Sequence, residues 1–126
     1  MGNPHFVIFV ENFPDGWQRQ AALIGKQPQF PQGTNVVYVV VRGKNDRGAN
    51  DRWANEIEIR IFERGAGETE SSGTGSCASA VAAIASGRVA SPVTVIAPGG
   101  PQTVRWENQV YLRGPATLIC RGEFFV

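Results

Sequence analysis

Glu56-Ile57-Glu58-Ile59-Arg60-Ile61-Phe62 alternates polar and apolar residues, the period-2 pattern of a strand with one buried face. Phe6-Val7-Ile8-Phe9-Val10 is a short continuous apolar run and reads as a buried strand. Asn35 to Arg42, rich in Val and Tyr, predicts another. Pro92 opens a strand at Val93–Ala97, and Pro98-Gly99-Gly100-Pro101 turns the chain. Thr103–Glu107 and Gln109–Leu112 pair as a hairpin across Glu107-Asn108. Gly114-Pro115 then leads into a last strand, Ala116 to Cys120, before an apolar tail. Trp17 to Ile24 predicts a short helix ending at Gly25. Gly43 to Asn55 is polar and charged and is expected as an exposed hairpin loop, with Trp53 either folded back on the sheet or marking a contact surface.

The chain is organised around Glu63 to Ala85, a glycine-rich polar loop that runs into small apolar residues. From Ser76 onward Cys77, Ala80, Val81 and Ile84 share one helical face, while Ala78, Ala82 and Ala85 make the other nearly as apolar. A helix apolar all round belongs inside. The expected fold is therefore α+β: a mostly antiparallel or mixed sheet wrapped around one central buried helix, with residues 1–126 as one domain. Gly65, Gly67, Gly73 and Gly75 allow positive φ and close approach to a ligand. A buried helix N-terminus behind such a loop presents unpaired amides to an anion such as a carboxylate. The plainer reading is a connector with capping hydroxyls at Ser71, Ser72 and Thr74. It is not a nucleotide P-loop, because the lysine of that motif is missing.

Composition narrows the function classes. A net charge of +1 indicates neither a nucleic-acid nor a membrane surface, and no window is apolar and long enough to span a bilayer. Two cysteines, Cys77 and Cys120, are expected as free buried thiols of a cytoplasmic protein. With one histidine and no Cys-x-x-Cys pair, no protein-built metal site is expected.

Polar residues gather at element ends. Asn3 and His5 precede the first strand, Asn35 begins the second, and Glu63 and Arg64 end the strand before the glycine loop. Such ends, beside a helix N-terminus, are where a site is built. Singly, each has a bland reading: a strand-end histidine, a turn asparagine, a surface ion pair. Together with GNPHFVIFV, TNVVYVVV, ERGAGET, SGTGSC and RGPATLICRGEF, in this order and spacing, they make the sequence resemble the C-terminal half of the diaminopimelate epimerase family. The resemblance covers the chain except Gly43–Asn55.

The resemblance implies two similar halves, each a sheet around a central helix, with a small amino-acid substrate between them and no cofactor. In the family a cysteine from each half moves a proton on one face of Cα. By position, Ser72, Glu63 and His5 are the implied catalytic residues. Asn3, Asn35, Arg64, Gly73 and Thr74 are the implied substrate contacts, with Gly73 and Thr74 as the carboxylate cradle. The implied partner is an N-terminal half, absent from this sequence; a homodimer of two such halves is the variant. This chain departs from the family pattern at Ser72, where the family has cysteine. A hydroxyl is a poor proton-abstracting base unless a partner activates it. Three readings stay open: the C-terminal domain of an epimerase, inactive alone; a related isomerase or dehydratase using serine; and a catalytically silent or self-assembling binding domain.

Overall fold

The computed structural model describes residues 2–42 and 55–126; the expected loop at Gly43–Asn55, including Trp53, lies outside the described residues apart from Asn55. The elements are, in order, β1 (His5–Phe9), α1 (Trp17–Ile24), β2 (Asn35–Val41), β3 (Glu56–Glu63), β4 (Gly67–Thr69), α2 (Gly73–Ala85), β5 (Val93–Ala97), β6 (Gly100–Trp106) and β7 (Val110–Arg113). All strands join one mixed sheet in the order β1-β2-β3-β5-β6-β7, with β4 added to the end of β3. The pairs β1–β2 and β3–β5 are parallel and the others antiparallel. The fold is α+β, as the alternation of elements predicts.

α2 contacts β1, β2, β3, β5, β6 and β7. The sheet curls around it, and strand alternation supplies the inner surface. Val37, Val39, Ile57, Ile59, Ile61, Val93, Val95 and Val104 are buried with Cys77, Ala80 and Ala83 of the helix. Each large aliphatic side chain so buried contributes about 1.5–3 kcal/mol. Small helix residues are what let six strands approach one helix. Ser76 and Ser79 face inward as well, and both hydroxyls are satisfied: Ser76 Oγ donates to Gln102 Oε1 at 2.7 Å and Ser79 Oγ to the Gly75 carbonyl at 2.7 Å. α1 packs on the opposite face, where Trp17 and Ala21 cover Val36 and Tyr38.

Three local expectations change. α2 starts at Gly73 rather than Ser76, because Ser72, extended at φ −150°, caps it there. A short strand, β4, sits inside the glycine loop, made possible by Gly65 and Gly67 at φ +83°, which turn the chain back onto β3. The strand expected at Ala116–Cys120 does not form. Residues 114–126 carry no helix or strand, and Leu118, Ile119, Phe124, Phe125 and Val126 are at least 87% exposed. A strand exists only within a ladder, and no described strand pairs with this segment. Cys120, expected buried, is therefore exposed; both thiols are free.

The core makes a specific demand on Ile59, which is wholly buried beneath α2. Ile59→Ala is expected to cost about 2–5 kcal/mol by urea denaturation, whereas Leu23→Ala, on the exposed side of α1, should change stability by under about 0.5 kcal/mol.

Candidate active site

Side-chain alternation places three polar residues in one row. Val7 and Phe9 of β1 pack into the core beneath α2, so His5 lies on that face. The same alternation puts Asn35 there through Val37 and Val39, and Glu63 through Ile59 and Ile61. His5 is in register with Asn35, and the Val36–Phe62 pairing brings Glu63 alongside it. The row His5–Asn35–Glu63 therefore crosses three strands at their ends, facing the N-terminal end of α2. Helix and sheet meet closely here: a Cβ on Gly75 would stand 2.9 Å from Ile61 Cδ1, so a larger residue would have to push the end of the Ile61 side chain aside.

Asn35 ties the row together. It is 4% exposed and its side-chain amide is committed to the protein. Nδ2 donates to Asn3 Oδ1 at 2.7 Å and to the Pro4 carbonyl at 2.8 Å, and Oδ1 accepts the Arg64 amide at 2.9 Å. Asn3 Nδ2 in turn donates to Thr74 Oγ1 at 3.3 Å. One buried amide thus fixes the start of β1, the end of β3 and, through Asn3, the first turn of α2. Glu63 Oε1 accepts the Thr69 hydroxyl at 3.0 Å, an anchor that the sequence pattern did not single out because β4 was not legible.

Arg64 goes the other way. Its Nη1 donates to the Gln32 carbonyl at 3.0 Å. The side chain lies against Gly33 and helps line a cleft of about 340 Å³ with Lys26, Phe62 and Glu63. Glu63 and Arg64, neighbours in sequence, thus both border this cleft, while their side chains take different partners, Thr69 and the Gln32 carbonyl.

At the helix end, Ser72 Oγ accepts the Gly75 amide at 3.1 Å and the Ser72 carbonyl accepts the Ser76 amide at 2.9 Å. Thr74 Oγ1 is 3.4 Å from Ser72 Oγ. Among the described residues, no acceptor meets the amides of Gly73 and Thr74. They carry the positive end of the helix dipole. Leu112 of β7 reaches over this turn; a Cβ on Gly73 would lie 3.1 Å from its Cδ2. Nothing in the sequence pattern pointed to Leu112 or to Gln102 beneath it.

Two shifted titratable groups lie in this region. Burial lowers the pKa of His5, against the opposing effects of its bond to the Asn3 carbonyl and of the nearby Glu63 charge, so the ring is neutral at pH 7. Burial pushes the Cys77 thiol up, and the side chain faces the core; it is an inert thiol. Among the described residues, no three His, Cys, Asp or Glu side chains gather as metal ligands, and no helix is long and apolar enough to cross a membrane.

The fold and site define a class: an α+β domain that curls a sheet around a small-residue helix and sets polar strand ends against that helix's open N-terminus. Residues 1–119 match the family model for diaminopimelate epimerase, and the chain belongs to that family. It is similar to the diaminopimelate epimerase of Desulfitobacterium hafniense, 41% identical over 125 residues, covering 97% of this chain and 41% of that protein. It is also similar to those of Bacillus licheniformis, at 36% over 131 residues with 100% and 42% covered, and Moorella thermoacetica, at 38% over 128 residues with 98% and 42% covered. The chain thus spans about two-fifths of the length of these relatives.

The hydrogen bonds give two stability expectations. Ser72→Ala removes one cap and should cost about 1 kcal/mol. Asn35→Ala leaves Asn3 Oδ1 and the Arg64 amide without this partner, while the Pro4 carbonyl keeps the residue-35 backbone amide, and should cost more, about 1–3 kcal/mol for each group left buried and unpaired. The lowered pKa of His5 has a definite sign: below about 6.5 the unfolded chain binds a proton that the native ring still refuses. Stability from this group is therefore whole above that pH and falls as pH drops from there toward the native pKa. Chemical denaturation across this range, repeated on His5→Gln, reads the contribution as the slope that disappears.

Proposed function

We propose that this chain forms one wall of the active site of a cofactor-independent amino-acid epimerase acting on diaminopimelate or a close relative of it, in the cytoplasm. The reading makes the chain the C-terminal domain of a two-domain enzyme whose other half supplies the facing wall. The observation that carries it is the open pair of amides at Gly73 and Thr74, opposite the row His5–Asn35–Glu63. A substrate α-carboxylate bound at those amides meets donors already aimed at it. As the Cα proton leaves, charge flows into the carboxylate, and fixed dipoles there stabilise it without reorganising. Glu63, held by Thr69, suits the substrate ammonium. Asn3 lies at the same helix turn and suits a substrate hydrogen bond, while Asn35 keeps Asn3 and the Arg64 backbone in place. Arg64 offers a guanidinium at the edge of the neighbouring cleft for a second carboxylate. Ser72 stands at the mouth of the cradle.

The facing half also accounts for the uncovered tail. Leu118, Ile119, Phe124, Phe125 and Val126 would each gain about 1.5–3 kcal/mol on burial, and their backbone is free to join a ladder. One observation favours the second reading, a silent or self-assembling domain: the hydroxyl of Ser72 is already engaged as a cap.

Deuterium incorporation at Cα of LL-diaminopimelate in D2O, using the full-length protein that carries this chain, separates the two. The epimerase reading predicts incorporation and meso product, with no turnover by residues 1–126 alone; a full-length protein that neither exchanges nor binds diaminopimelate supports the silent domain instead. Ser72→Cys in the same protein should keep or raise the rate, since a thiolate is favoured at a helix N-terminus. Sedimentation provides the check on the tail: the isolated chain is expected to self-associate, and removing residues 116–126 should weaken this. A strict monomer at high concentration would count against a covered tail.

A further inference from the structure

The opening at the α2 N-terminus has a second side, which the row His5–Asn35–Glu63 does not supply. It comes from the β6–β7 hairpin. Val104 of β6 is wholly buried in the core beneath α2, and Leu112 stands opposite it in register. Residues paired across a ladder share a face of the sheet, so Leu112 points toward the helix. Its neighbour Tyr111 belongs to the outer face, where the Arg105 guanidinium lies 4.4 Å from the centre of the Tyr111 ring. β6 is tied to the same end of the helix by the bond from Ser76 Oγ to Gln102 Oε1 at 2.7 Å. Leu112 therefore reaches the first turn of α2 from an anchored hairpin, with its Cδ2 3.1 Å from where a Cβ on Gly73 would lie.

Core packing alone does not account for this leucine. Val104 beside it is 0% exposed, but Leu112 is 42% exposed, and apolar surface left in water contributes nothing to folding. What Leu112 does cover is the turn whose Gly73 and Thr74 amides meet no acceptor among the described residues. We propose that Leu112 is the water-excluding wall of the carboxylate cradle, a positioning residue that acts through those two amides; the inference rests on the epimerase reading above.

An amide–carboxylate contact open to solvent competes with water for both partners. Beside a hydrocarbon wall that competition ends on one side, and the local dielectric falls. The attraction between the amide dipoles and the carboxylate is then stronger, and salt screens it less. The advantage grows along the reaction, because charge on the carboxylate rises as Cα loses its proton. The two sides of the opening divide the work. The polar row from β1, β2 and β3 offers charge and hydrogen bonds, and Leu112 from β7 offers none. Its contribution depends on being apolar and on filling the space above Gly73, so a polar side chain of similar size cannot replace it.

The test uses the full-length protein that carries this chain, with diaminopimelate in D2O at low and high salt. Leu112→Ala is expected to weaken diaminopimelate binding about 10-fold, the difference between a charge-assisted hydrogen bond kept dry and one shared with water. The rate of deuterium entry at Cα should fall as well, and binding should become more sensitive to salt than in the unmodified protein. Leu112→Asn, close to leucine in size but polar, should behave like Leu112→Ala, and Leu112→Met should restore affinity, rate and salt tolerance together. A leucine that only packs the hairpin would move stability and leave the salt dependence alone. If Leu112→Ala folds and keeps its affinity, rate and salt dependence within a few-fold, or if Leu112→Asn matches the unmodified protein, the assignment is wrong while the epimerase reading stands. If the unmodified protein neither binds diaminopimelate nor exchanges deuterium, both fall. Should the variants fail to fold, NMR of the unmodified complex decides. Nuclear Overhauser contacts from the Leu112 methyls to the Gly73 and Thr74 amides are expected with diaminopimelate bound, and their absence would overturn the proposal.

Discussion

One constraint governs this structure: α2 is a helix without a charged residue, enclosed by a sheet that touches it from six strands. Such a helix is stabilised by apolar contact along its length, yet its first amides still need acceptors. Ser72 supplies two, through its hydroxyl and its carbonyl. Gly73 and Thr74 remain open to a ligand. The sheet places its own polar strand ends beside that opening, because the strands that bury Val37, Ile59 and Ile61 against the helix continue in the same side-chain alternation to Asn35 and Glu63. Packing and site are thus one arrangement.

The buried network explains why asparagines matter as much as charges here. Asn35 answers three backbone and side-chain groups at once, from the residues just before β1 and just after β3. A charged residue in that place would carry a desolvation cost without matching both donors and acceptors. The consequence is a rigid corner: Asn3, Asn35 and the first turn of α2 are held in one hydrogen-bonded network. Ser72, at the position where the resemblance implies a cysteine, caps the helix with its hydroxyl.

Much of this was legible in the sequence where a single period dominates. Glu56–Phe62 alternates and is β3; Val93–Ala97 is β5; Trp17–Ile24 is α1. What was not legible depended on partners distant in sequence. Gly73 and Gly75 look like loop residues because glycine is a poor helix former, but a cap at Ser72 and the close approach of Ile61 place them in α2. β4 is too short to show a period. Ala116–Cys120 has the composition of a strand and no described strand to pair with. The separate partners of Glu63 and Arg64, Thr69 and the Gln32 carbonyl, depend on β4 and on the loop before β2, neither of which shows a period.

The central claim is that the open end of α2 holds the substrate carboxylate. It is tested most directly by amide shifts of Gly73 and Thr74, followed by 15N–1H NMR in the full-length protein during titration with diaminopimelate. The account predicts that these two amides move downfield together and saturate together, as expected for donors to one carboxylate. Saturable binding that leaves both amides unmoved, with the largest shifts elsewhere, would contradict it.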